Sequence, residues 1–320
     1  MIGVFPALTK AIWPAPADPA AFGREQGNLA AEIAEAVDAP SAIWLDAAAR
    51  TPAGEAALGA IFGNSPFLTH CILRDVDFAG TLLRDGPDAA LAGVFAGMRE
   101  AGQRAVTGAE LTRILRVSRR RAALTIAIAD IAGLWPLAQV TRALSDFADR
   151  AIGLAIDDQL RALAANGVIE LADPTMPSRG SGLVVLGMGK LGGQELNYSS
   201  DVDLIVLYDL ERVRGADRDV LQKHFVRLVR GVVRLLEERT ADGYVLRTDL
   251  RLRPDPGATP LAMSTDGAEF YYETLGQNWE RAAMIKARPV AGDIAAGDDF
   301  LQRLRPFLWR RHLDFAAIQD

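Results

Sequence analysis

Apolar residues recur at steps of three and four along roughly the first 170 positions, so this part of the chain reads almost wholly as helix. The segments are short. In "TPAGE", "GNSPF" and "RDGPD", Pro or Asp opens the next helix. Beyond Pro136, the positions Leu137, Val140, Leu144, Phe147, Ala151 and Leu154 form one stripe, predicting a long amphipathic helix that runs to Ala165. "ADPTMPSRGSG" (Ala172–Gly182) has no periodicity and reads as a loop or domain junction. No repeat of fixed period is present.

A mixed pattern follows. "LVVLGM" has the length and continuous apolar character of a buried strand, and a glycine-rich turn comes after it. "DVDLIVLYD" predicts a second strand. "RDVLQKHFVRLVRGVVRLLEER" sets Leu221, Phe225, Leu228, Val232 and Leu235 on one helical face. "YVLRTDLRLRP" predicts a third strand, stopped by Pro254, and from Thr265 onward the pattern is helical again. The expected fold class is α+β and predominantly helical. A helical region covers 1–175, and a core with a small mixed sheet and C-terminal helices covers 176–320.

Composition narrows the function classes. The net charge is −6, and a mildly acidic chain is a poor general nucleic-acid binder. Cys71 is the sole cysteine, which excludes an intrachain disulfide and zinc sites built from several cysteines. His70, His224 and His312 show no ligand spacing and read as surface or half-buried residues. The N-terminal "MIGVFPALTKAIWPAPADP" is broken by prolines and has no basic residue before its apolar part, so it is a poor signal peptide. The apolar stretch Leu124–Val140 contains Asp130 and Pro136 and does not suit a membrane span. A cytoplasmic chain is expected, meeting neither membrane nor nucleic acid. "RILRVSRRR" (Arg113–Arg121) reads as a solvated helix face. The tryptophans show no interleaving with basic residues and read as packing.

The chemistry concentrates in "GLVVLGMGKLGGQELNYSSDVDLIVLYD" (Gly182–Asp209). Gly187, Gly189 and Gly192 fit G-x-G-x-x-G, with Asp209 further on, as in a dinucleotide-binding turn. Two features oppose that reading. Only about two helical turns separate the strands, where that fold needs a full crossover helix. The second strand also opens with Asp201 and Asp203, and paired carboxylates in a buried parallel sheet are costly without a counter-charge.

The same residues suit metal-dependent transfer. Strand periodicity puts Asp201 and Asp203 on one face, roughly 6.5–7 Å apart at the backbone. There they could share hard cations such as Mg²⁺. The predicted third strand aligns Asp249, Arg251 and Arg253 in the same way. If the two strands are neighbours, three carboxylates and two guanidinium groups share one cleft. Metals would neutralise charge on an attacked phosphorus, and arginines would clamp its oxygens. The Gly187–Gly193 turn offers N–H groups to phosphates, with Lys190 as a nearby charge. The bland alternatives are a D-x-D that ends a loop and a "DLRLR" strand face in solvent.

"GMGKLGGQELNYSSDVDLIVLYD" and "TDLRLRPDPG" resemble the bifunctional glutamine synthetase adenylyltransferase/adenylyl-removing family. So do "NSPFL", "YYETLGQNWERAAMIKARPVAGD" (Tyr271–Asp293) and "WRRHLDF". The resemblance implies a polymerase-β-type nucleotidyltransferase core. The family carries two such domains. The N-terminal one removes AMP from an adenylylated tyrosine of glutamine synthetase, using phosphate and releasing ADP, and the C-terminal one adds AMP from ATP. "ELNYSSDVDL" and the preceding helices resemble the removing domain, so the AMP-adding half is expected to be missing here.

By resemblance, Asp201, Asp203 and Asp249 would be the catalytic, metal-binding carboxylates, with Mg²⁺ or Mn²⁺. Gly187, Gly189, Lys190 and Gly193 would form the phosphate turn. Ser200, Arg251 and Arg253 would line the phosphate site, with Lys286 and Arg288 as further contacts. The implied partners are glutamine synthetase, phosphate, ADP and ATP, and a PII-type signal protein for the full-length family member. The wider superfamily has Gly or Ser where Met188 stands. Two alternatives stay open: an AMP-adding transferase of the same fold, and a non-catalytic docking or regulatory fragment.

Overall fold

The computed structural model describes residues 6–36 and 39–309. The end of "WRRHLDF", with His312, lies outside them. The helices are α1 (Pro19–Glu35), α2 (Pro40–Ala49), α3 (Pro52–Phe62), α4 (Pro66–Leu73), α5 (Val76–Asp85), α6 (Pro87–Gln103), α7 (Gly108–Ile131) and α8 (Leu137–Ala165). Then come β1 (Leu183–Gly187), α9 (Gly189–Gly192), β2 (Val202–Tyr208), α10 (Arg218–Glu237), β3 (Thr248–Asp249) and β4 (Ala262–Ser264). The chain continues through α11 (Thr265–Thr274), α12 (Asn278–Met284), β5 (Arg288–Gly292), α13 (Ile294–Arg303) and α14 (Arg305–Leu308). The predominantly helical α+β class holds.

Two compact units emerge: Met1–Gly97 with Val117–Leu144, and Met98–Arg116 with Ser145–Asp320. This division runs inside helices and differs from the one drawn at 175 and 176. The change of periodicity marks where strands begin, which is a different matter from where packing changes.

In the first unit, helix starts follow the sequence punctuation. Pro52 and Pro66 open α3 and α4 behind Thr51 and Ser65, whose hydroxyls accept the N–H groups of Gly54 and Leu68, both at 3.2 Å. Proline suits that first position because its missing N–H would lack a helical partner anyway. The arginine-rich stretch departs from its expected solvated face. Arg121 pairs with Asp75 at 2.7 Å, and Arg119 lies over the Phe67 ring. Arg116, in the second unit, is fully buried. It donates to the carbonyls of Thr112 (3.0 Å), Gly243 (2.9 Å) and Glu238. A guanidinium can enter a core when its fork meets enough acceptors, and helical periodicity does not reveal them.

Cys71 is buried in the first unit, and burial pushes its thiol up to about 11 although Arg119 and Arg120 pull the other way. At pH 8 only about one thiol in a thousand is then thiolate, the reactive form. The folded chain should therefore resist iodoacetamide at pH 8 and take up one label in denaturant. Full labelling of folded protein would contradict this burial.

The second unit is built on a five-stranded mixed sheet of order β3-β2-β1-β5, with β4 also on β2. β1 runs antiparallel to β2 and β5, while β3 and β4 run parallel to β2. The antiparallel β1–β2 pair rules out the dinucleotide-binding crossover, which joins parallel strands. Every residue of β1 is buried. Ile205, Leu207, Val184 and Leu186 pack with Tyr272 and Phe300 in one core cluster. On α10 the buried stripe is Leu221, Phe225, Leu228, Val229, Val232 and Leu236, so Leu236 takes the place expected of Leu235.

Two expectations about strands fail. The predicted third strand shrinks to Thr248–Asp249, because the Asp249 carboxylate accepts the Arg251 N–H at 2.8 Å and turns the chain. The region after Thr265 is not all helix either, since β5 completes one edge of the sheet. Its Pro289 is tolerated because an edge strand needs fewer ladder bonds.

Candidate active site

β1 ends at Gly187, paired with Leu204 of β2, and the chain turns at once into the single-turn helix α9. The turn lies against the start of β2, where the Met188 N–H donates to the Asp203 carbonyl at 2.9 Å. Gly189 has φ +51°, and a Cβ there would stand 3.4 Å from Asp203 Oδ2. Glycine thus brings bare backbone beside a carboxylate. The N–H groups of Gly189, Lys190 and Leu191 open the helical turn and are those for which the helix itself supplies no acceptor.

Asp203 of β2 pairs in parallel register with Asp249 of β3. Register partners on neighbouring strands present side chains to the same face, with the strands about 4.8 Å apart. Burial, then the charges of Asp249 and Asp201, push the Asp203 carboxyl above its ordinary value, while Arg251 and Lys190 oppose the rise. Asp249 goes the other way, because Arg251 beside it holds its carboxyl below the usual range. Two adjacent carboxylates, one penalised for its own charge, form a donor pair suited to a divalent cation.

Asp201 lies outside the strand, exposed, and its carboxylate accepts Arg247 Nε at 2.5 Å. Among the described residues no three His, Cys, Asp or Glu side chains draw together as metal ligands. Asp203 and Asp249 are the register pair that could hold a cation, with Asp201 near enough to raise the Asp203 carboxyl and held by Arg247 through one of its two oxygens.

The basic residues divide differently from the expected cluster. Arg251 reaches Asp249 through Nε at 2.9 and 3.0 Å, and its side chain is 84% exposed. Arg253 turns away from the carboxylates and donates to the carbonyls of Leu250 and Pro256, each at 2.7 Å. It frames the loop after β3, because the strand whose alternation would have aimed it ends at Asp249. Lys286 pairs with Glu195 at 2.5 Å. Arg288 grips Asp149 of α8 at 2.8 and 3.2 Å and the carbonyls of Leu191 and Gly192 at 3.1 and 3.3 Å. It is a tie between β5, the glycine turn and α8 rather than a phosphate contact. Ser200 is half-buried in the loop before Asp201.

Arg247 escaped the sequence, and Gly192 showed there only as part of the glycine motif. Arg247 fastens the Ser199 carbonyl and Asp201 to the start of β3. It shares parity with Asp249 and Arg251, which was the available signal. Gly192 lies where a Cβ would stand 1.9 Å from the Lys286 carbonyl oxygen. Beside the carboxylates opens a cleft of about 650 Å³, lined in part by Glu237, Tyr244, Arg247 and Thr248.

A glycine turn set against neighbouring carboxylates on a small mixed sheet forms the candidate site of this α+β protein. Residues 56–303 match the family described as glutamate-ammonia ligase adenylyltransferase. The chain belongs to that family. It is 46% identical over 293 residues to the bifunctional glutamine synthetase adenylyltransferase/adenylyl-removing enzyme of Rhodopseudomonas palustris (strain TIE-1), covering 92% of this chain and 29% of that protein. It is 48% identical over 268 residues to the protein of the same name from Rhizobium meliloti (strain 1021), covering 82% and 27%. The chain spans less than a third of the length of these curated relatives. No helix among the described residues is long and apolar enough to cross a membrane.

Proposed function

We propose that this chain removes AMP from an adenylylated tyrosine of glutamine synthetase by metal-dependent phosphorolysis, releasing ADP and regulating nitrogen assimilation. The observation that carries the reading is the apposition of the Gly189 backbone to Asp203, next to Asp249. The names of the relatives include both AMP addition and adenylyl removal, and the direction rests on the likeness of "ELNYSSDVDL" to the removing domain.

In this reading Asp203 and Asp249 would hold Mg²⁺ or Mn²⁺, with Asp201 as the third carboxylate. The bound cation supplies neutralisation of phosphoryl charge. The N–H groups at the start of α9 and the Lys190 ammonium orient phosphate oxygens over the carboxylates. Arg251, exposed on a long side chain, swings from Asp249 to an equatorial oxygen. An oxygen of inorganic phosphate attacks the α-phosphorus of the tyrosyl-AMP, and the bond from phosphorus to the phenolic oxygen breaks. ADP forms, and the phenolate takes a proton from solvent. A phenol has a pKa of about 10, so strong acid catalysis is unnecessary.

The test mixes the chain with adenylylated glutamine synthetase, Mg²⁺ and phosphate and follows ADP. Release that requires phosphate is expected. Transfer of label from ATP to unmodified glutamine synthetase, without phosphorolysis, would replace this reading with AMP addition. Neither reaction, from folded protein that still binds glutamine synthetase, would leave a docking role.

A further inference from the structure

A second cavity, of about 580 Å³, lies in the same unit at the other end of the same strands. Gly292, on its wall, pairs with Val184 near the start of β1, whereas the glycine turn begins at Gly187. Three strand residues separate these positions, roughly 10 Å of backbone. None of the residues assigned to the candidate active site lines this cavity.

Its walls are largely apolar: Met98 from α6, Gly153 and Leu154 from α8, Met176 from the loop after α8, and Ile294 from α13. Three arginines, Arg99, Arg150 and Arg179, come to it from α6, α8 and that loop. Its two carboxylates are already engaged. Asp157 accepts the Ser178 hydroxyl at 2.5 Å, and Asp293 accepts the N–H groups of Gly182 and Ala296, both at 3.3 Å. Arg99 and Arg179 have no salt bridge among the described residues. Pockets that take small molecules share this size and design, with apolar walls and a few convergent polar groups. Cations on three separate elements that line such walls favour an anion with an apolar body.

We propose that this cavity is a binding site for a small organic acid, with a carboxylate at Arg99 and Arg179 and an apolar body against Met98, Leu154 and Ile294. The inference stands on this cavity alone and is independent of the reaction proposed for the other site.

The probe is 4-(trifluoromethyl)benzoate, titrated against the 320-residue chain by fluorine NMR, with its neutral carboxamide as the control. The benzoate should bind at least about tenfold more tightly than the amide, the effect of one charge-assisted contact. Arg99→Gln with Arg179→Gln should remove that preference. Gly153→Leu is the decisive variant. A Cβ at Gly153 meets nothing within 4 Å, and leucine is a better helix former than glycine, so the side chain fills the cavity without disturbing α8. It should abolish binding while the thermal midpoint holds or rises. Equal binding of acid and amide, or benzoate binding unchanged in Gly153→Leu, would overturn the proposal.

Discussion

Asp203→Asn should lower phosphate-dependent ADP release by about 10³-fold or more, roughly 4 kcal/mol of barrier, while leaving the fold intact. Both halves follow from one environment. Asp203 is half-buried beside Asp249 and Asp201, so its negative charge is disfavoured in the folded chain. Its folded pKa therefore lies above the unfolded value. The sign for stability follows: the folded state binds this proton more readily, so the group's contribution falls as pH rises from the unfolded carboxylate range through the raised folded value. At neutral pH without metal, Asp203 is thus a stability cost that asparagine removes. Asp203→Asn should unfold at a slightly higher midpoint in EDTA at pH 7, and this gain should vanish below about pH 4, the ordinary aspartate range. Added Mg²⁺ or Mn²⁺ should reverse the order, since a cation that binds only the folded parent stabilises it by mass action. A variant that retains turnover, or a parent that gains nothing from metal, would remove Asp203 from the centre of the site.

The parts of this site that the sequence displays are those in which one residue's role depends on its neighbours in the chain. β1 and β2 show as apolar runs, and Gly189 and Asp203 belong to a motif whose spacing fixes which groups can face each other. Long α8 is equally legible from its stripe, although Leu137 at its first turn is 75% exposed. What stayed hidden depends on separation in space. Strand β5 is a five-residue segment carrying a proline between helical stretches, and only its pairing with β1 makes it a strand. The arginines illustrate the point best. Arg116, Arg247, Arg251, Arg253 and Arg288 share one chemistry, yet they serve a buried strut, a loop clasp, an exposed carboxylate partner, a loop frame and a tie between elements. Each role is set by which acceptors lie within reach, and that is a property of the folded chain.

Gly192 gives the sharpest structural test, because local and tertiary physics predict opposite signs there. By helix propensity alone, Gly192→Ala within α9 should stabilise by up to about 1 kcal/mol. By packing, the new Cβ would stand 1.9 Å from the Lys286 carbonyl oxygen and 2.5 Å from that of Gly187. Both obstacles are backbone atoms, so no rotamer change relieves them, and the segment that leads into β5 must separate from the turn. The separation would also pull Arg288 from the carbonyls of Leu191 and Gly192. Packing wins by this comparison, and the variant should lose about 3 kcal/mol in chemical denaturation, at the upper end for overpacking. The control is the adjacent Gly193→Ala. Its Cβ would meet Lys286 Cδ at 3.2 Å and Glu195 Cδ at 3.4 Å, the outer parts of exposed side chains that can move aside. That variant should change stability by less than about 0.5 kcal/mol, as at an ordinary surface position. Equal stabilities for the two variants would mean that the turn does not pack against that segment in this way, and that Asp203 faces a turn held by something else.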